Sequence, residues 1–128
     1  MTISEVISEA DELKPNQYTD VHKLRWLNEI ELKIKNELLD THIIEDEDEE
    51  ENTEFEPYTE DTDYDTELTA KAPYDGLYTF YLMAMIDFYN GETTKYANNQ
   101  MMFNTKYSEY ANYINRTYRH KGSMRMGV

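Results

Sequence analysis

An unbroken run of seven carboxylates, Glu45, Asp46, Glu47, Asp48, Glu49, Glu50 and Glu51, divides this chain into two helix-forming parts. More acid follows as far as Glu67, and neither lysine nor arginine occurs between Lys35 and Lys71. Like charges at that density repel, so the stretch cannot build a core of its own. It is expected as a solvated acidic loop or tongue over 41–72. Residues 53–58 are compatible with a short strand, or the arm of a small β-hairpin, inside it.

The flanking parts carry helical signals. Thr2 and Glu5 have the spacing of a capping box, which predicts a first helix over 3–13, ended by Pro15 and Asn16. Thr19 or Asp20 caps a second helix reaching about Asp40. Its apolar residues Leu24, Leu27, Ile30, Ile34 and Leu38 fall on one stripe. Pro73 stands where a first helical residue is expected, with Asp75 in the first turn. The helix that follows, to about Tyr89, is apolar on nearly every side and must be covered by more than one neighbour. Asn90 and Gly91 close it, because glycine accepts the left-handed conformation of a C-terminal cap. A last helix starts at Glu92 or Thr93 and places Tyr96, Phe103, Tyr107, Tyr110, Ile114 and Tyr118 on one face. So short a linker predicts an antiparallel helical hairpin.

The expected fold is therefore all-α: one small helical domain of about four helices over 1–121, ending in that hairpin, with the acidic loop in its middle. Residues 122–128 form a basic tail. Trp26, Leu27, Ile30, Leu82, Ile86 and Phe103 are the expected core anchors, Trp26 joining the second helix to the later ones.

Charge limits the partners. The net charge of -15 disfavours nucleic-acid binding by the body, since affinity for phosphate rests on lysine and arginine. Beyond Glu109 no acid occurs, and Arg116, Arg119, Lys121 and Arg125 make the chain bipolar. Cysteine is absent, which removes thiolate nucleophiles and sulfur-based metal sites. No apolar stretch is long enough to cross a bilayer and the first residues lack the pattern of a signal peptide, so the expectation is a protein made in the cytosol without a membrane partner.

Catalytic and cofactor signals are weak. Asp61, Asp63, Asp65 and Glu67 alternate like a calcium loop, but that pattern needs glycine and glutamate where Thr66 and Ala72 stand. His22, His42 and His120 are scattered, and four glycines form no phosphate loop. A non-enzymatic protein without cofactor or metal is expected. The 12 tyrosines are the stronger signal. One stripe cannot bury Tyr113, Tyr118, Met101 and Met102 together, and surplus aromatic surface suits contacts between subunits.

Several ordered stretches carry a resemblance: Asp11-Glu-Leu-Lys-Pro-Asn16, Lys23-Leu-Arg-Trp-Leu-Asn-Glu-Ile30, Asp65-Thr-Glu-Leu68, Ala72-Pro-Tyr-Asp-Gly-Leu-Tyr78, Ile86-Asp-Phe-Tyr-Asn-Gly-Glu92, Tyr96-Ala-Asn-Asn99, Met102-Phe-Asn104 and Tyr113-Ile-Asn-Arg-Thr117. Together the chain resembles the small helical head–tail connector, or adaptor, proteins of tailed bacteriophages of Gram-positive bacteria. It departs from them at Gly76, where glutamate is usual, at Ala97, where asparagine is usual, and in the length of the acidic run.

The resemblance implies a structural virion protein of the neck, assembled in the host cytoplasm. Such a protein forms a homo-oligomeric ring below the portal protein, extends the DNA channel without sequence-specific binding to the passing duplex, and meets a tail or head-completion protein. Tyr107, Tyr110, Tyr113, Arg116, Tyr118, Arg119, Lys121 and Arg125 are the expected subunit or portal contacts. The run 45–51 is the expected channel-facing or charged loop, where acid would repel phosphate. A reading from another class is an acidic inhibitor that imitates DNA and fills the basic groove of a host protein.

Overall fold

The computed structural model describes residues 1–43 and 54–121. It is mostly helical, with four α-helices and one two-stranded sheet among those residues.

Helix α1 (Ile3–Leu13) starts where the capping box places it. Thr2 Oγ1 accepts from Glu5 N at 3.1 Å, and Glu5 Oε1 accepts from Thr2 N at 2.9 Å. A helix of 11 residues is marginal by itself, so its persistence rests on burying Ile3, Val6, Ile7 and Ala10. Helix α2 (Asp20–Ile34) buries the expected stripe. It then widens into a π-helical turn, Lys35–Leu39, in which Asp40 N donates to Lys35 O at 2.8 Å. Leu38 stays in the core while Leu39 faces a groove beside the last helix.

Helix α3 (Gly76–Tyr89) is the hub, with α1, α2 and α4 (Thr93–Thr117) all packed on it. That is the physical answer to its nearly all-round apolar sequence. Its start differs from the sequence expectation. The Lys71 carbonyl accepts from Tyr74 N across Ala72–Pro73, so Pro73 sits in a turn and the helix begins only at Gly76. A Cβ at Gly76 would meet open space, so packing does not demand glycine there. Gly91 does take a positive φ of 76°, as the α3–α4 turn requires.

The sheet is unexpected. β1 (His42–Ile43) pairs antiparallel with β2 (Arg119–His120), in the register His42↔His120 and Ile43↔Arg119. It ties the end of α4 to the end of α2 and holds His120 to the body. It also sets the root of the acidic run beside the basic end of the chain. The expected strand over 53–58 does not form: residues 54–58 are irregular, and Thr53 lies outside the described residues.

The second half of the acidic stretch is no free tongue. Ile3 N donates to Thr66 O at 3.1 Å, Ser4 N to Tyr64 O at 2.9 Å, and Leu68 N to Met1 O at 2.9 Å. Leu68 and Ala70 are fully buried. Glu60, Asp61, Asp63, Asp65 and Glu67 stay exposed while the backbone at Tyr64, Thr66 and Leu68 is pinned to residues 1–4. Repulsion among exposed side chains, which water screens, is outweighed by those hydrogen bonds and by the burial of Leu68, worth about 1.5–3 kcal/mol.

Candidate functional site

Glu31 projects from α2 into the interior, where it is 4% exposed. Its Oε1 accepts from Tyr78 Oη at 2.6 Å. Its Oε2 accepts from Tyr58 Oη at 2.7 Å, Thr69 N at 3.0 Å and Thr69 Oγ1 at 2.9 Å. Four donors fill the acceptor capacity of a carboxylate, and no cation pairs with it among the described residues. Tyr78 Oη in turn accepts from Ala70 N at 2.8 Å, and Asn28 exchanges two hydrogen bonds with the backbone of Tyr58. One buried carboxylate thus fastens the acidic segment onto α2 and α3. Sequence reasoning passed over it, although a signal existed: Glu31 lies four residues after Leu27 and three before Ile34, on the apolar stripe.

Beyond this hub a groove of about 360 Å³ opens between the turn at Pro73 and α4, with Leu39, Tyr74, Tyr113, Ile114 and Tyr118 in its wall. Tyr74 stacks on Tyr113 at 5.0 Å between ring centroids and meets Tyr110 at 5.7 Å. Tyrosine walls give such a groove a wide apolar surface with hydroxyls at its edge.

The expected contact residues divide. Tyr110 is only 5% exposed and belongs to the core, because α4 turns Phe103, Tyr110 and Ile114 onto α3; the sequence had offered it as a subunit contact. Tyr107 is half-buried; its hydroxyl donates to Glu37 Oε1 at 2.9 Å and Lys33 Nζ sits 4.9 Å from its ring centroid. The hydrogen bond from Lys33, against some desolvation, holds the Glu37 carboxyl below the usual range. Tyr113 and Tyr118 are half-buried at the groove, while Arg116, Arg119 and Lys121 are exposed. Arg125 and the loop residues 45–51 lie outside the described residues. Trp26, Leu27, Ile30, Leu82, Ile86 and Phe103 are all buried in one cluster.

His42, which the sequence left as a scattered histidine, is buried at 3% exposure. Its Nδ1 is 2.7 Å from Leu38 O, its Nε2 is 2.8 Å from Asn115 Oδ1, and its ring meets His120 edge-on at 4.9 Å. The imidazole latches the sheet to both long helices.

Burial, then Glu31, pushes the Tyr110 hydroxyl up to about 12. Burial raises those of Tyr58, Tyr78, Tyr81 and Tyr107 as well, each reinforced by a carboxylate partner. A folded-state pKa raised above that of the unfolded chain contributes stability that is complete below pH ~10 and fades as pH rises through it. The urea midpoint is therefore expected to fall steeply between pH 10 and about 12, alongside the rise of tyrosinate absorbance. Tyrosinate appearing in full near pH ~10 with the fold intact would show that water reaches these hydroxyls.

Comparison with family models, with curated proteins and with solved structures returned no match.

Proposed function

We propose that this chain is a structural component of a bacteriophage neck, a head–tail connector that forms a ring beneath the portal and prolongs the DNA channel. The observation that carries the reading is apolar and tyrosine surface beyond the needs of one small core. The groove at Tyr74, Tyr113 and Tyr118 is open, and Phe88, Tyr89, Met101 and Met102 are exposed, on a chain of net charge -15. Such surface is expected where subunits meet. The ordered stretches that resemble connector proteins supply the rest. The partners are further copies of the chain, the portal protein, a tail or head-completion protein, and passing duplex without sequence readout. The role is architectural, not catalytic, in the virion after assembly in the host cytoplasm.

An antiparallel C-terminal hairpin is part of this proposal. It is supported by ring contacts that step backwards along α3 as they step forwards along α4: Phe88 with Tyr96, Tyr81 with Phe103.

Mixing the full chain with portal and imaging the mixture by cryo-electron microscopy tests the assignment. A closed ring docked on portal is the expected result. A chain that stays monomeric with portal present, and is missing from virions, overturns it.

One observation favours the DNA-mimic alternative. Exposed carboxylates at Asp63, Asp65 and Glu67 flank the Tyr64 and Thr66 carbonyls that α1 holds, and a fixed array imitates phosphates better than a loose one. A mimic stays small in solution, so the same images separate the two readings.

A further inference from the structure

At the end of the bundle where α3 turns into α4, six aromatic rings form an unbroken ribbon. His22 stacks on Trp26 with centroids 6.3 Å apart, and Trp26 stacks on Tyr89 at 5.8 Å with 13° between the planes. Tyr89 meets Phe88 at 5.1 Å and Phe88 meets Tyr96 at 5.4 Å. Tyr18 touches His22, Trp26 and Tyr89, and donates to Asn90 Oδ1 at 2.7 Å. Trp26 is buried, but Phe88 and Tyr89 are 53% and 55% exposed. Two neighbouring large rings left half in water are not core. α1 ends, α2 begins and α4 begins here, and the charges at this end are paired: Lys14 with Asp87, Lys23 with Asp11 and Lys95 with Glu92.

The opposite end of α4 carries exposed cations. Between positions 93 and 121 the chain holds Lys95, Lys106, Arg116, Arg119 and Lys121 against one acid, Glu109, in a molecule otherwise dominated by carboxylates. Arg116, Arg119 and Lys121 are exposed and make no ion pair among the described residues. Helix α4 has 25 residues, so these cations stand roughly 35 Å from the ribbon. No single chain can bring its own two ends together. A second copy can.

We propose that the aromatic ribbon of one copy receives Arg116, Arg119 and Lys121 of the next. Guanidinium groups stack on exposed tyrosine and phenylalanine faces, and arginine and tyrosine are both enriched among the residues that carry binding energy at interfaces. The net charge of -15 opposes association of copies, and a contact made through exposed cations meets less of that repulsion than one made through carboxylates. A contact between two different surfaces is heterologous, so repetition closes a ring when the rotation permits. The inference rests on the homo-oligomeric reading above and gives it a specific pair of surfaces.

The chain has no cysteine, so single cysteines report the contact cleanly. Thr93→Cys marks the ribbon end of α4 and Thr117→Cys the basic end. Both positions are exposed, and they lie too far apart for a disulfide within one chain. Oxidising an equimolar mixture of the two full-length variants should give the 93–117 disulfide well beyond its statistical share over 93–93 and 117–117 pairs. Adding Arg116→Glu and Arg119→Glu to the Thr117→Cys copy should cut it about tenfold, as should Phe88→Ser with Tyr89→Ser in the Thr93→Cys copy. Circular dichroism checks that each variant keeps its helices; the arginine variant, changed only at exposed positions, carries the test if the ring variant unfolds. A statistical mixture of pairs, or a 93–117 yield that neither set of substitutions changes, overturns the proposal. The particle mass of the unsubstituted chain with portal then decides the wider reading. A ring without this cross-link leaves the connector assignment standing with another interface, whereas no ring and no cross-link removes both.

Discussion

Glu31→Ala is expected to lower the stability of the fold by about 3–5 kcal/mol, enough to consume a large share of the 5–15 kcal/mol typical of a domain. The carboxylate is buried and serves four donors at once, from Tyr58, Tyr78 and both the backbone and the hydroxyl of Thr69. Truncation leaves those donors without an acceptor, and each buried orphan costs about 1–3 kcal/mol. Tyr58 is only half-buried and recovers water, which is why the estimate stays below the full sum. Glu31→Gln is expected to cost less, about 2 kcal/mol, since one oxygen survives while an amide N–H now faces hydroxyl donors. Urea denaturation measures both. Tyr81→Phe is the control: its hydroxyl bonds to exposed Glu29 at 2.6 Å, and its loss should cost under about 1 kcal/mol. Were Glu31→Ala to cost no more than the control, the segment 58–70 would be held by Leu68 and Ala70 alone, and the carboxylate would be incidental.

The second large effect is expected at Asp87, which is fully buried on α3. Its Oδ1 is 2.9 Å from Lys14 Nζ, an ion-pair contact without the alignment of a hydrogen bond, and its Oδ2 accepts from Asn99 Nδ2 at 2.8 Å. This one side chain thus binds the end of α1 and the start of α4 to α3. Asp87→Ala should cost about 3 kcal/mol, at the lower edge for breaking a buried pair, because Lys14 keeps partial access to water. The double variant Lys14→Met with Asp87→Leu should recover much of that loss, since two apolar groups of similar volume escape the desolvation of two charges. A double-mutant cycle gives the coupling. Strictly additive losses would mean that Lys14 and Asp87 stabilise the chain independently.

Both residues show where sequence reading stops. Asp87 sits within the apolar run of α3 and Glu31 within the apolar stripe of α2, so each is a charge at a position that periodicity assigns to the interior. Periodicity says that such a side chain is inside; it does not say what satisfies it. The partners of Glu31 lie 27, 38 and 47 positions away in the chain. The candidate surfaces divide in the same way. Surplus aromatic area was legible from the tyrosine count and from the single stripe on the last helix. Which rings stay outside was not, since Tyr110 went to the core while Phe88 and Tyr89 stayed half in water.

The four helices follow from local signals. A capping box fixed the start of α1, steps of three and four residues fixed the buried stripe of α2, and Asn90 with Gly91 fixed the α3–α4 turn. These are interactions within one or two turns, whose energies depend on residues adjacent in the chain. Tertiary structure decided the rest. It moved the start of α3 past Pro73, paired His42 with His120, and drew residues 58–70 of an acidic, seemingly solvated stretch onto α1 and α2. Each of these depends on groups far apart in sequence that meet only after the helices pack. A local window sees the repelling carboxylates, whereas the buried Leu68 and the single carboxylate of Glu31 become favourable only when a finished core encloses them.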